Sequence, residues 1–194
     1  MSQGESPNAP QSAFLLEDLL SKTGSGHWRL DPLASKVTIR HKTLWGLTSV
    51  KVSFATVSGE GLLYASGVVE GRFELSSASL DTGNKKRDLH LRSDEFFGVD
   101  VNPLIVFTAR AASAGSRVGT VVLAGDLQVK NVSRPLVLEA DVLLPSPNVL
   151  VLNIETEIDR ADFGITWNWL GMLKGNAQVE VLAHLIRQSG EEGS

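Results

Sequence analysis

The sequence predicts an all-β fold: antiparallel strands, about eight of them, with one short helix. Three observations carry this. Apolar and polar residues alternate with period two through most of residues 27–187, as in strands with one buried face. Clusters of Gly, Pro, Asn and Ser interrupt the alternation at hairpin spacing. Only residues 79–97, SLDTGNKKRDLHLRSDEFF, abandon period two for helical spacing. Patterning alone leaves open whether such strands pack as a sandwich or close into a barrel.

The first strand region runs from His27 to Thr43, with Val37, Ile39 and His41 on one face and Thr38, Arg40 and Lys42 on the other. His41 therefore sits on the apolar, inward face, either as a hydrogen-bonded core histidine or as a polar contact within a cavity. Val50, Val52 and Phe54 form the next inward face. Ser58-Gly59-Glu60-Gly61 reads as a hairpin turn, and Ala65-Ser66-Gly67 as another. Val69, Gly71, Phe73 and Leu75 then face in, and Gly71 lets the sheet coil.

Next comes the irregular stretch. Asp81, Thr82, Gly83 and Asn84 are turn and helix-starting types, followed by the cations Lys85, Lys86 and Arg87. Leu89 and Phe96, with Phe97 beside it, are expected to pin a short helix to the strands.

Beyond it, Pro103 opens a strand with Ile105, Phe107 and Ala109 inward. Leu123, Gly125, Leu127 and Val129 follow, then Leu138, Ala140 and Val142, then Leu152, Ile154 and Ile158. Between the middle two strands, Asn131 tolerates left-handed turn geometry, so a hairpin can stand there. Residues 166–173, TWNWLGML, are unusually apolar for a connection, so Trp167 and Trp169 read as a lid or rim, or as packing over one barrel end. Val179, Val181, Ala183 and Leu185 close the last strand.

The bulk numbers exclude several chemistries. A net charge of −4 argues against a nucleic-acid partner, and a single tyrosine, with no aromatics interleaved among Lys and Arg, argues against a single-strand stacking platform. No cysteine means no thiol nucleophile, thiolate metal site or disulfide. Four scattered histidines give no metal spacing, and no cofactor is expected. Residues 1–26 read as a flexible tail, 27–187 as the folded domain and 188–194 as a polar tail. The N-terminus lacks a positive region, and Glu17 and Asp18 interrupt its apolar patch. The expectation is a cytoplasmic protein with neither signal peptide nor transmembrane segment.

Ser79, Asp81, Thr82, Arg87, Asp88, His90, Leu91, Arg92, Ser93, Phe96 and Phe97 together resemble a signature of the YceI family. The resemblance extends from Trp28, Asp31 and Ser35, through Pro103, Ile105 and Phe107, to RADFGI at residues 160–165. The chain departs from the family pattern in three places. No glycine occurs near Val52 and Ser53, Asn102 replaces an aromatic, and Asn131 replaces a glycine.

The resemblance implies a lipocalin-like, eight-stranded antiparallel barrel holding a polyisoprenoid or another long-chain lipid in its lumen. It implies lumen contacts from His41, Val52, Phe54, Phe73, Leu75, Phe107, Leu123, Leu127, Leu138, Leu152, Ile154, Trp167, Trp169 and Val181. Arg87, Asp88, His90 and Arg92 would meet a head group through forked donors, or hold the helix by ion pairs and caps. Two other classes stay open: an interaction scaffold with a filled barrel, and a hydrolase or isomerase using His41, His90 and Asp88. The sequence contains no G-x-S-x-G, HExxH or phosphate-cradling glycine loop, so the expectation is no enzyme. Strand edges and the apolar 167–173 loop are compatible with a homodimer.

Overall fold

The computed structural model describes residues 25–43, 48–64, 66, 68–166 and 176–188. Among them, eleven strand segments form one sheet. These are β1 (Gly26–Leu30), β2 (Lys36–Thr43), β3 (Thr48–Phe54), β4 (Val57–Leu63), β5 (Val69–Ser76), β6 (Leu80–Asp81), β7 (Leu104–Ala114), β8 (Thr120–Val129), β9 (Val132–Ser146), β10 (Val149–Ile158) and β11 (Ala177–Arg187). A single described α-helix, α1 (Lys85–Arg92), lies between β6 and β7.

The eleven segments make eight staves. β1 and β2 are one interrupted strand, since β1 pairs with residues 185–187 of β11 and β2 with residues 178–182. β3 and β4 form the second stave, pairing with β2 and β1 respectively. β5 and β6 form the third, pairing with β4 and β3. β7 to β11 follow as a meander, and β11 returns to β1 and β2. The result is the expected closed antiparallel barrel of eight strands, built up-and-down; among the described residues only the two-residue β6 lacks a strand partner on its second side.

The three interrupted staves are neighbours, and side chains replace the missing ladder bonds. At residues 31–35, Asp31 Oδ1 accepts from the amides of Leu33 (2.9 Å) and Ala34 (3.4 Å). Ser35 Oγ accepts from the His184 amide at 3.0 Å, standing in for a strand partner. Between β3 and β4, Ser79 Oγ accepts from the Thr56 amide at 3.1 Å. Between β5 and β6, Ser77 Oγ donates to the Asn102 carbonyl at 2.7 Å. Buried backbone groups must be paired, and serine does this where the strands bend.

One expectation for the turns is corrected. Residues 58–61 are the middle of β4, not a hairpin turn. Gly59 and Gly61 lie in the strand because it is crowded: a Cβ on Gly59 would stand 2.7 Å from Phe73 Cδ1, and one on Gly61 3.1 Å from the Glu70 carbonyl oxygen. The β8–β9 hairpin forms as expected, with left-handed geometry on Lys130 (φ 55°). Positive φ at the first central position is how a two-residue turn follows the strand twist. The Lys130 ammonium also donates to the Asp94 carbonyl at 3.1 Å, across to the segment after α1.

Because the staves alternate in direction, connections collect at two poles. The β2–β3, β6–β7, β8–β9 and β10–β11 links share one pole with α1. The far pole holds the other hairpins and the outer ends of β1 and β11. There Glu139 accepts from Ser116 N–H, Ser116 Oγ and Thr120 Oγ1, each at 2.7 Å. The Ser116 and Thr120 hydroxyl bonds, with the Ser116 amide and the nearby Arg117 charge, lower the Glu139 pKa from 4.5 to about 2.

Inside the ring, Val37, Val52, Ile105, Leu123, Leu127, Leu138, Leu152, Ile154 and Ala183 are buried, as period two predicts. A bulge between Ala109 and Ala111 resets β7, so Ala112 joins the inner side.

Candidate functional site

The site is the barrel interior below α1. Asn84 caps the helix: its Oδ1 accepts from the amides of Lys86 (3.1 Å) and Arg87 (3.2 Å). This cap sets where α1 begins. Leu91 lines the interior, whereas Leu89 is 68% exposed, so the expectation that Leu89 pins the helix is corrected. Phe96, buried in the turn that follows, and Phe97 are the other apolar anchors.

The signature residues form a knot around Thr82. Asp88, only 6% exposed, accepts from the Thr82 amide at 3.0 Å and the Thr82 hydroxyl at 2.5 Å. Arg87 Nε donates to Thr82 Oγ1 at 2.8 Å, and its Nη2 to the Thr82 carbonyl at 2.9 Å. Arg92 donates to the carbonyls of Ala78 (3.0 Å) and Leu80 (2.6 Å). The two arginines hold the helix through backbone carbonyls and one threonine, while His90 stands against the Glu95 carboxylate. Arginine suits this because its fork reaches two acceptors on one segment. Asn102, which departs from the family pattern, is buried and donates to the Gly98 carbonyl at 3.1 Å, closing the loop after α1.

Beneath α1 lies a cavity of about 680 Å³. His41, Val52, Phe73, Leu75, Phe107, Leu123, Leu127, Leu138, Leu152, Ile154 and Val181 all line it, as their inward faces predict. Phe54 does not; it packs into the core beside β6 instead. Arg87 and His90 line the cavity, while Asp88 and Arg92 do not. Trp167 and Trp169 lie outside the described residues, as do the N-terminal residues 1–24 and the tail from 189.

Polar groups gather at the α1 pole of this space. Asn84, Lys86, Arg87, His90 and Arg160 reach it from α1 and from the short 3-10 turn at Arg160–Phe163. Burial lowers the Arg160 pKa, while the charge of Asp159 opposes that shift. Among the described residues the one carboxylate in the lining, Glu74, is paired with Arg72 Nε at 2.8 Å. His41 Nδ1 stands 2.8 Å from the Lys42 carbonyl, so Nδ1 carries the proton and Nε2 is an acceptor in the neutral ring. That Nε2 is buried with no partner among the described residues.

Sequence reasoning missed Asn84, Lys86 and Arg160 as lining residues. It also missed a second, apolar cavity of about 80 Å³ toward the far pole, lined by Trp28, Leu63, Ala112 and Leu150 among others. Of the residues offered as acid and base, His41 and His90 line the cavity and Asp88 does not. Asp88 is committed to Thr82, and His90 Nε2 lies 2.7 Å from Glu95 Oε2. Among the described residues, no three of His, Asp and Glu are grouped to hold a metal ion, and no helix is long and apolar enough to cross a membrane.

Fold and site together define a class: a closed up-and-down β-barrel with an apolar interior cavity and a polar, cationic pole beside a short helix. The chain belongs to the YceI-like domain family, whose model matches residues 28–185. It is 26% identical over 150 residues to the UPF0312 protein of Shewanella denitrificans, across 74% of this chain and 78% of that one. It is 35% identical over 66 residues to a UPF0312 protein of Photorhabdus laumondii, 34% of this chain and 33% of that one. Among solved structures it resembles Burkholderia cenocepacia BcnA (TM-score 0.72, 16% identity, 82% of this chain and 99% of that one). It also resembles a polyisoprenoid binding domain from Saccharophagus degradans implicated in plant cell wall breakdown (TM-score 0.67, 14% identity, 83% and 98%). At these identities the two structures speak to the fold.

Proposed function

We propose that this protein binds a long-chain lipid of the polyisoprenoid type without transforming it. The apolar chain lies in the barrel and the polar end at the α1 pole. The observation that carries this reading is the cavity of about 680 Å³, walled by Val, Leu, Ile and Phe from all eight staves. That volume lies within the range of sites that enclose a small organic ligand. Each Å² of apolar surface withdrawn from water contributes about 25 cal/mol, so a hydrocarbon chain gains most from such a wall. Lys86, Arg87 and Arg160 give the polar end a positive bias, which suits a hydroxyl, carboxylate or phosphate head. A space of this size favours a carrier over a scaffold with a filled barrel. The polyisoprenoid binding domain from Saccharophagus degradans supports the same ligand class by fold.

Native mass spectrometry of freshly purified protein, followed by organic extraction, tests the reading. A stoichiometric prenyl or acyl adduct is the expected result. A clean apo mass from several expression hosts, with no uptake of added geranylgeraniol, would overturn it.

A further inference from the structure

The two cavities are stacked along the barrel, and three side chains face both. Phe73 of β5, Leu123 of β8 and Leu152 of β10 line the large cavity on one side and the small one on the other. We propose that Phe73, with Leu123 and Leu152, is the floor of the chain-holding space and sets the longest apolar chain the barrel accepts. The small cavity beneath it is a latent site for the chain's far end. This rests on the lipid-binding reading above.

The position of the Phe73 ring is built into its neighbours. Gly59 is its cross-strand partner on β4, and Phe107 its partner on β7. A Cβ on Gly59 would stand 2.7 Å from Phe73 Cδ1, and one on Gly71 would stand 3.4 Å from Phe73 Cε2. The ring therefore occupies space that side chains at 59 and 71 would claim. Beyond it, Gly61, Gly71, Ala109 and Ala112 leave the small cavity, and Trp28, Leu63, Val69, Leu150 and Leu185 wall it. Interiors normally close to crystal-like density, and an apolar void of this kind stays dry. Removing the Phe73 ring would join the apolar lower end of the large cavity to the small one.

Strand geometry gives the scale. On β10, Ile158 and Leu152 line the large cavity and Leu150 lines only the small one. The large space spans six residues of strand, roughly 20 Å, and the small one adds two more, roughly 7 Å. Opening the floor would lengthen the path by about a third.

The test is calorimetric titration of the full chain with geraniol, farnesol, geranylgeraniol and longer prenyl alcohols, beside Phe73→Ala. In the parent, affinity should rise with chain length and then break. In Phe73→Ala the break should move to a longer homologue, which tightens by about fourfold per extra buried methylene. Adding Ala112→Phe to that variant refills the small cavity and should restore the parental break. Ala112→Phe alone should leave the break unchanged. Should Phe73→Ala fail to fold, Phe73→Leu reads the same shift at smaller amplitude. An unchanged break in a folded variant overturns the floor while leaving lipid binding intact. Absence of binding by any prenyl alcohol to parent or variants overturns both.

Discussion

Replacing Thr82 with valine tests what holds α1 across its end of the barrel. The substitution keeps the side-chain shape and deletes one hydroxyl. That hydroxyl donates to the buried Asp88 carboxylate at 2.5 Å and accepts from Arg87 Nε at 2.8 Å. Hydrogen bonds to charged groups are worth about 1.5–3 kcal/mol each. Arg87 is only half-buried, so water recovers part of its loss. Asp88 keeps the Thr82 amide as a donor. A net cost of about 3 kcal/mol follows, and a domain of this size loses roughly 2–4 °C per kcal/mol, giving a fall of roughly 6–12 °C. Scanning calorimetry reads the global change, and hydrogen exchange at the amides of residues 85–92 reads local detachment of the helix. Thr82→Ser keeps the hydroxyl and should stay within about 1 kcal/mol of the parent. A Thr82→Val protein with unchanged melting and unchanged exchange in α1 would refute the knot and leave the Arg92 bonds as the anchor.

Two further outcomes follow from the structure. Glu139 has its folded pKa lowered to about 2, below the unfolded value of 4.5, so the unfolded chain takes up the proton first as pH falls. Its stabilising contribution is complete above about pH 4.5 and disappears as pH approaches 2; the stability gap between parent and Glu139→Gln, followed by urea unfolding at a series of pH values, should therefore narrow across that window. For the helix anchor, Leu91→Ala should cost about 1–3 kcal/mol and Leu89→Ala less than about 0.5 kcal/mol in the same assay, and the reverse order would contradict the observed helix face.

Much of the barrel was legible because one physical rule, alternate burial, acts along every stave. Val37, Leu123, Leu138 and Ile154 needed nothing more than period two to be placed inside. The family signature located the helix and the residues around it. What failed had non-local causes. Glycine marks a turn and a crowded strand with the same letter, and only the Phe73 ring, from the neighbouring strand, distinguishes them at Gly59. In an eight-residue helix, Leu89 and Leu91 are near-equivalent candidates for the inner face until packing sets Leu91 against the core and leaves Leu89 exposed. Arg87 and Arg92 looked like partners for carboxylates because charge is visible in a sequence, whereas the carbonyls of Ala78, Leu80 and Thr82 are not. Lys86 lies in the first turn of α1 and Arg160 in a 3-10 turn, and the period-two rule that places the strand residues says nothing about either.

The seam where β11 meets β1 has a consequence for assembly. Arg187 Nη2 reaches the Ser25 carbonyl at 2.6 Å across 162 positions of chain, and the Gln188 amide donates to the His27 carbonyl at 2.8 Å. Every other join in the ring links staves that follow one another in sequence. The meander can thus zip hairpin by hairpin, while the last join carries the largest loop-closure entropy and is the natural bottleneck of folding. That join also brings residues 25 and 188 together at the pole away from α1. The sheet has in effect no beginning or end there, and a chain rewired to run directly from 188 to 25, and opened at another hairpin, would encode the same barrel.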